Sequence, residues 1–357
     1  MSGNFNIIMN IARSSNGLDW STPAVLVAAQ WQIPVVTQES GYWILVGKSF
    51  AGPSYSSYST DGINWSTPAL ADNGSTSYGG IASRSGRVVV VGYNFFNQPW
   101  SMYSDDHGVT WSAAARMGGS SVVARMSPVT TYTSGKYVAV GQDASNRLIA
   151  SYSNDGITWQ VPYLSHGSTL TNRKMNSVAV NSSNRFVSVG VDASNLPISS
   201  YSNDGITWHS TSVMGGSTDV ATMTSVTYSV ALDRFVAVGY DSSRYPVSSY
   251  SDDGITWLIP SSMGGSTTET YMYGIAVDST LRHKFVSVGT NNSPELPMTA
   301  ISYDGITWTI PQAMNGSVYP AQMASITSGR YPSQQFVAVG HEHPSNYPVT
   351  SLLDPQF

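Results

Sequence analysis

Short apolar runs recur along this chain, and each stops at a glycine. YWILVG, RVVVVG, KYVAVG, RFVSVG, RFVAVG, KFVSVG and QFVAVG end at Gly47, Gly92, Gly141, Gly190, Gly239, Gly289 and Gly340. Runs this short and this continuously apolar predict strands covered on both faces. Between them lie segments bounded by Gly, Asn, Asp, Ser or Pro, with no 3.6-residue period to support a helix. Over residues 222–263, TMTSVTYS predicts a first strand, RFVAVG a second, PVSSYS a third and ITWLIP a fourth. The peptide DDGITW turns the chain between the last two.

A second marker keeps the same beat. SYSNDGITW occurs at 151–159 and, unchanged, at 200–208. Its relatives ARSSNGLDW, SYSTDGINW, MYSDDHGVTW, SYSDDGITW and AISYDGITW end at Trp20, Trp65, Trp111, Trp257 and Trp308. Successive tryptophans in the full set are 45, 46, 48, 49, 49 and 51 positions apart. Seven units of four strands each predict an all-β fold, a seven-bladed β-propeller of four-stranded antiparallel blades, with residues 1–357 as a single domain. No blade buries both faces alone, so neighbours supply the missing contacts. The closing blade is expected to be shared between the N- and C-terminal segments. IIMNIARSSNGLDWSTP offers it a third strand, a turn and a fourth strand, while PVTSLL at 348–353 competes for the third position.

Each part of the repeated turn has a mechanical reading. An Asp carboxylate accepts from the amides that follow it, Gly takes positive φ, and Ser and Thr hydroxyls satisfy further backbone groups. The Trp ring is expected to lie between blades, with its indole N–H seeking an acceptor. The structural positions are Asp61, Asp106, Asp155, Asp204, Asp253 and Asp304, with Trp65, Trp111, Trp159, Trp208, Trp257 and Trp308. Across nearly its whole length the chain resembles the Asp-box (bacterial neuraminidase repeat) propellers. The match is Ser104, Asp106, Gly108, Thr110 and Trp111 in a long form, and Asp155, Gly156, Thr158 and Trp159 in a short one. Departures are Asn16 for Asp and Asp19 for Thr in the first copy, and Ala300 for Ser in the last. The resemblance implies that these turns join third to fourth strands at the periphery, away from any active face.

Composition narrows the partners. Charged residues are only 10% of the chain, against about 25% in an ordinary domain. Net charge is −5 and no basic run exists, so nucleic acid and anionic membrane surfaces are not expected partners. Cysteine is absent, so neither disulfides nor thiolate metal sites contribute. The opening MSGNFNIIMNIARSSNG has no secretion-signal pattern, and no stretch is apolar for the length of a membrane helix. A soluble protein is expected, cytoplasmic or released by another route.

The resemblance also raises sialidase chemistry. Such enzymes use three Arg on the substrate carboxylate, a Tyr–Glu nucleophile and an Asp acid, with an early Arg-Ile-Pro peptide. The nearest match is WQIP at 31–34, where Gln32 replaces Arg, and an amide cannot supply a guanidinium fork. Arg185 and Arg234 open second strands, where a solvated strand end accounts for them. His341-Glu342-His343 would need a third ligand from elsewhere to hold a metal. The chain is therefore expected to be non-catalytic and without metal or cofactor, with an unrecognised glycosidase site as an alternative.

The candidate ligand face is opposite the turns. There the second-to-third-strand loops read GQDASNRL, GVDASNLP and GYDSSRYP, and the blade-to-blade loops RMGGSS, VMGGST and SMGGST. Asp143, Asn146, Asp192, Asn195, Asp241, Arg244, Tyr245, Gly119, Gly216 and Gly265 would converge at successive junctions. Trp100, Tyr245 and Tyr347 could stack on a sugar face. A ring of weak, neutral, hydroxyl- and amide-rich sites suits multivalent glycan binding. NFFNQPW at 94–100 instead favours one asymmetric protein partner, so an interaction scaffold is the competing reading. Replacing Asp192 and Asn195 by Ala is expected to weaken binding while leaving the melting temperature nearly unchanged. A glycan array and a thermal melt of that double variant check it.

Overall fold

A computed structural model describes residues 9–21, 24–26, 31–49, 52–74, 76–120, 123–131, 135–164, 173–278, 283–314, 321–329 and 335–342. The strands form seven four-stranded antiparallel sheets, a seven-bladed β-propeller. Blades one to six follow the chain in order, over 31–72, 77–116, 124–164, 174–213, 221–262 and 270–313. Among the described residues there is no α-helix, only 3₁₀ turns at Met117–Gly119, Met214–Gly216 and Met263–Gly265. Among the same residues no helix is long and apolar enough to cross a membrane.

Blade seven joins the chain ends. Strands Ala321–Gly329 and Gln335–Glu342 are its first and second, Met9–Ser14 its third and Ala24–Leu26 its fourth. Ile11 pairs with Val339 and Arg13 with Val337. The N-terminal segment therefore takes the third position, and the competing residues 348–353 lie outside the described residues. Ala12 and Trp20 pack with Val286, Val288 and Phe336 between blades six and seven. Ile11 and Val337 pack with Trp43 and Leu45 between blades seven and one.

The apolar runs are second strands. Val236, Ala237 and Val238 are fully buried, because each face meets a neighbouring blade. The glycine ending the run answers a close approach. A Cβ on Gly239 would lie 1.9 Å from the Thr222 carbonyl oxygen of the first strand, and at Gly92, Gly141, Gly190, Gly289 and Gly340 the distance is 1.8–2.1 Å. Just beyond that contact the first strand bulges, between Met223 and Ser225 in blade five and at the matching place in every blade.

Three strands of blade five fall where the sequence places them, at Ala221–Ser229, Arg234–Asp241 and Pro246–Ser251. The fourth does not. ITWLIP at 255–260 forms no ladder, and the strand is Ser261–Ser262. Pro260 has no N–H to donate. Tyr250 O still accepts from Leu258 N, and the Ser249 hydroxyl donates to Leu258 O, so a side chain replaces part of the ladder.

Truncation at a buried turn tryptophan, Trp208→Ala, should lower stability by about 3–5 kcal/mol in denaturant titration. Gly239→Ala should cost about 1–3 kcal/mol by overpacking against Thr222, read in the same titration.

Candidate functional site

The third strand separates two sets of connections, with the Asp turns at one edge of each blade and the second-to-third-strand loops at the other. In the turns, Asp155 Oδ1 accepts from Ile157 N at 2.8 Å and Thr158 N at 2.7 Å, and Ser153 Oγ accepts from Gly156 N. Asp61, Asp204, Asp253 and Asp304 repeat this, while Asp106 accepts from the Thr110 amide and hydroxyl across the longer turn. Burial pushes the Asp155 carboxyl up, but the Thr158 and Ile157 amides and the Ser153 hydroxyl outweigh it and hold the pKa at about 2.

The departures preserve the geometry. Asn16 Oδ1 accepts from Leu18 N and Asp19 N, and Asn16 Nδ2 donates to Asp19 Oδ2, so the amide and acid exchange places. Ala300 stands where Ser151, Ser200 and Ser249 tie the third strand to the fourth, and it leaves the turn itself intact. Trp159, Trp257 and Trp308 are buried as expected. Trp20 and Trp111 find their acceptors in Gly17 O and Gly108 O. The Trp159, Trp257 and Trp308 indole N–H groups have no such partner among the described residues. Trp65 and Trp111 are only partly buried.

Arg185 and Arg234 are not merely solvated strand ends. Arg234 Nε donates to Asp252 in its own blade, and Nη1 donates to Asp304 O in the next. Arg87, Lys136, Arg185 and Lys284 make the same forward bond to Asp155 O, Asp204 O, Asp253 O and Asn16 O. Each cation also lies over a tyrosine ring of its own blade, 4.4 Å from the Tyr250 centroid for Arg234. These cations stitch each turn to its neighbour.

On the opposite edge, the predicted acids close their own loops. Asp143 is buried, accepts from Ser145 N and Arg147 N, and pairs with the Arg147 guanidinium at 2.6 Å. Asp192 Oδ1 accepts from Ser194 N and Leu196 N, and Asp241 Oδ1 from Tyr245 N. Asn94 and Asn291 hold the same position with an amide, so a charge is not needed for the turn. Asn146, Asn195 and Arg244 occupy left-handed backbone at φ 55°, 60° and 66°. Their carbonyls accept from Arg173 N, Ala221 N and Thr270 N, the first amides of the following blades. The Asp192/Asn195 double variant should therefore lose stability as well, by about 1 kcal/mol, contrary to the sequence expectation.

The methionines of the blade-to-blade turns point into the core instead. Met117, Met214 and Met263 of the Met-Gly-Gly turns, and Met314 at the matching place, are buried against Trp159, Trp257, Trp308 and Trp20 of the following blades. A Cβ on Gly215 would lie 2.3 Å from Ile259 N, whereas Gly119, Gly216 and Gly265 face open space at φ near 65°. The motif is an outer plug between blades.

The blade-one-to-two junction has no methionine at this place. The blade-one-to-two linker reads Ala71-Asp72-Asn73-Gly74, and a cleft of about 550 Å³ opens there over Trp111. Trp100, Phe95 and Phe96 line it with Asn73, Asn94 and Asp72. Phe95 and Phe96 are 80% and 69% exposed, an edge-to-face pair where the corresponding loops carry Ala144-Ser145. Asp72 is held by Gly74 N and the Tyr78 hydroxyl. Of the predicted ligand residues, only Trp100 lies in this cleft. The missing methionine is legible in the sequence once the turns are aligned. Tyr347 and His343 lie outside the described residues, as does the side chain of Gln32.

No family model matches the chain, and no curated protein matches it. Solved structures do. The BP39L lectin from Burkholderia pseudomallei aligns with TM-score 0.64 at 10% identity, over 87% of this chain and 93% of that one. A structure of YCF48 bound to D1 peptide aligns with TM-score 0.55 at 14% identity, over 92% and 100%. The Hadza microbial sialidase Hz136 aligns with TM-score 0.51 at 17% identity, over 81% of this chain and 66% of that one. At these identities the likeness is one of fold.

Because Asp155 titrates below its unfolded value near 4, its stabilising bonds are complete above about pH 4 and are lost as pH falls toward 2. Thermal melts from pH 7 to 2 should show this loss. Asp155→Asn should retain the turn, as Asn16 does, with a shallower acid decline than wild type.

Proposed function

We propose that this is a non-catalytic glycan-binding protein whose principal contact is the aromatic cleft between blades one and two. The observation that carries the reading is the lining of this cleft, where Trp111 and Trp100 lie with the exposed rings of Phe95 and Phe96 beside Asn73 and Asn94. Aromatic faces beside amide groups match a sugar's apolar C–H face and hydroxyl edge. The low surface charge favours a neutral or weakly charged glycan. The alignment with a lectin supports the choice, although fold alone does not assign function. Exposed amides at Asn146 and Asn195 would add shallower contacts at other junctions, and linked weak sites raise avidity.

A protein partner is the second reading, favoured by one observation. Phe95 and Phe96 form an exposed apolar tip beyond what a sugar ring needs, and the fold is shared with a peptide-bound protein. The two readings differ in what survives when that tip is removed.

The test pairs a glycan array with calorimetry on the best hit. Trp100→Ala should reduce affinity at least about tenfold. Phe95→Ala with Phe96→Ser, which restores the residues of the blade-three loop, should fold normally and weaken binding. No glycan bound, or full affinity in both variants, rejects this reading. Turnover of fluorogenic glycosides would reject the non-catalytic part.

A further inference from the structure

In a chain built of near-copies, positions that leave the pattern and meet in space mark a site that the repeat does not explain. Such positions meet at the blade six–seven junction, remote in sequence from the cleft above. The first-strand residue before the bulge contact is Ser77, Arg125, Lys174, Thr222 and Gln322 in five blades, but Tyr271 in blade six. The residue after that contact is Gly79, Ser127, Asn176, Thr224 and Ala324, but Tyr273 in blade six. The left-handed loop position is Asn97, Asn146, Asn195 and Arg244, but Glu295 in blade six.

These three side chains line one cavity of about 310 Å³, with Asn291, Asn292 and Gln322 at its walls. The Tyr271 and Tyr273 rings are parallel within 9° at 6.0 Å, and Tyr240 meets Tyr271 edge-on at 4.8 Å. Glu295 is fixed through its carbonyl, which accepts from Ala321 N at 2.8 Å. Its Oε2 is shut off from solvent and has no hydrogen-bond partner among the described residues. The neighbouring cation, Arg244, is turned to Glu269 at 3.4 Å, and Glu269 is also held by Asn292 Nδ2. Glu295 is thus the one carboxylate among the residues lining the cavity, and no described residue donates to its Oε2.

An enclosed carboxylate oxygen without a donor is unfavourable. Tyrosine faces attract cations through the ring quadrupole, and the attraction grows when water is excluded. A neutral sugar would satisfy the amides but leave the charge. A carboxylate ligand would be repelled. We propose that the cavity framed by Tyr271, Tyr273 and Glu295 binds a small organic ammonium, a primary or methylated amine carried by a free molecule or by a lysine side chain. The ammonium sits against the tyrosine faces with Glu295 as counter-ion, and Asn291 and Gln322 meet polar groups attached to it.

The test is calorimetry on the full chain with choline and with 3,3-dimethyl-1-butanol, its uncharged isostere. Saturable choline binding, at least about tenfold tighter than the isostere, is expected. Glu295→Gln should remove that preference. Tyr271→Thr with Tyr273→Thr, which restores the blade-five residues, should fold with an unchanged circular dichroism spectrum and bind neither probe. A trimethyl-lysine peptide separates the sources: tighter binding than choline assigns the ammonium to a protein side chain, and equal or weaker binding to a free molecule. Equal affinity for choline and its isostere overturns the proposal, as does full choline affinity in Glu295→Gln. So does absence of binding by choline and the peptide alike. Because Trp100 and Phe95 are not altered, failure here leaves the glycan reading standing.

Discussion

Each blade presents apolar side chains on both faces and has nothing of its own to cover them. That constraint orders the molecule. Val187 and Val189 of blade four are buried only because Phe235, Met223 and Trp257 of blade five lie against them. The linker methionine fills the outer end of such a gap, and the glycine ending each second strand lets the first strand of the same blade approach it closely. Folding therefore rewards neighbours rather than units, as in other repeat proteins. The forward bonds from Arg87, Lys136, Arg185, Arg234 and Lys284 add a polar counterpart to the same dependence.

Much of this is written in the sequence because repetition multiplies a weak signal. One DGITW peptide is a turn, whereas seven at a steady interval are an architecture. The number of blades, the second and third strands and the acceptor role of the turn aspartates follow directly. The fourth strand does not, because its ladder is replaced by the Ser249 hydroxyl and interrupted by Pro260, and hydrophobic pattern carries no record of either. The cations at second-strand starts are visible as letters, but their partners lie across a blade boundary, 68–70 residues on for Arg87, Lys136, Arg185 and Arg234 and 268 residues back for Lys284.

The candidate ligand residues illustrate the opposite effect. Asp143, Asp192 and Asp241 attract notice because they recur, and recurrence is a property of scaffolding as much as of binding. Their carboxylates close loops, and Asn94 and Asn291 do the same without charge. Phe95, Phe96, Tyr271, Tyr273 and Glu295 are inconspicuous in a scan for similarity because they are what similarity omits. In a chain of this kind the repeat describes the frame, and its exceptions are where we propose that the frame is put to use.

The shared seventh blade has a further consequence. A linear array of repeats ends in two exposed apolar faces and needs polar caps to stay in solution. Here those faces are turned on one another, with Ile11 and Ala12 inserted between the sheets on either side. Among the described residues the ring accordingly has no terminal unit to fray, and residues 9–21 and 24–26 act as its clasp. Gain or loss of a unit by duplication would change the circumference, so a family of such chains is confined to whole turns that still bring strand Met9–Ser14 back beside strand Gln335–Glu342.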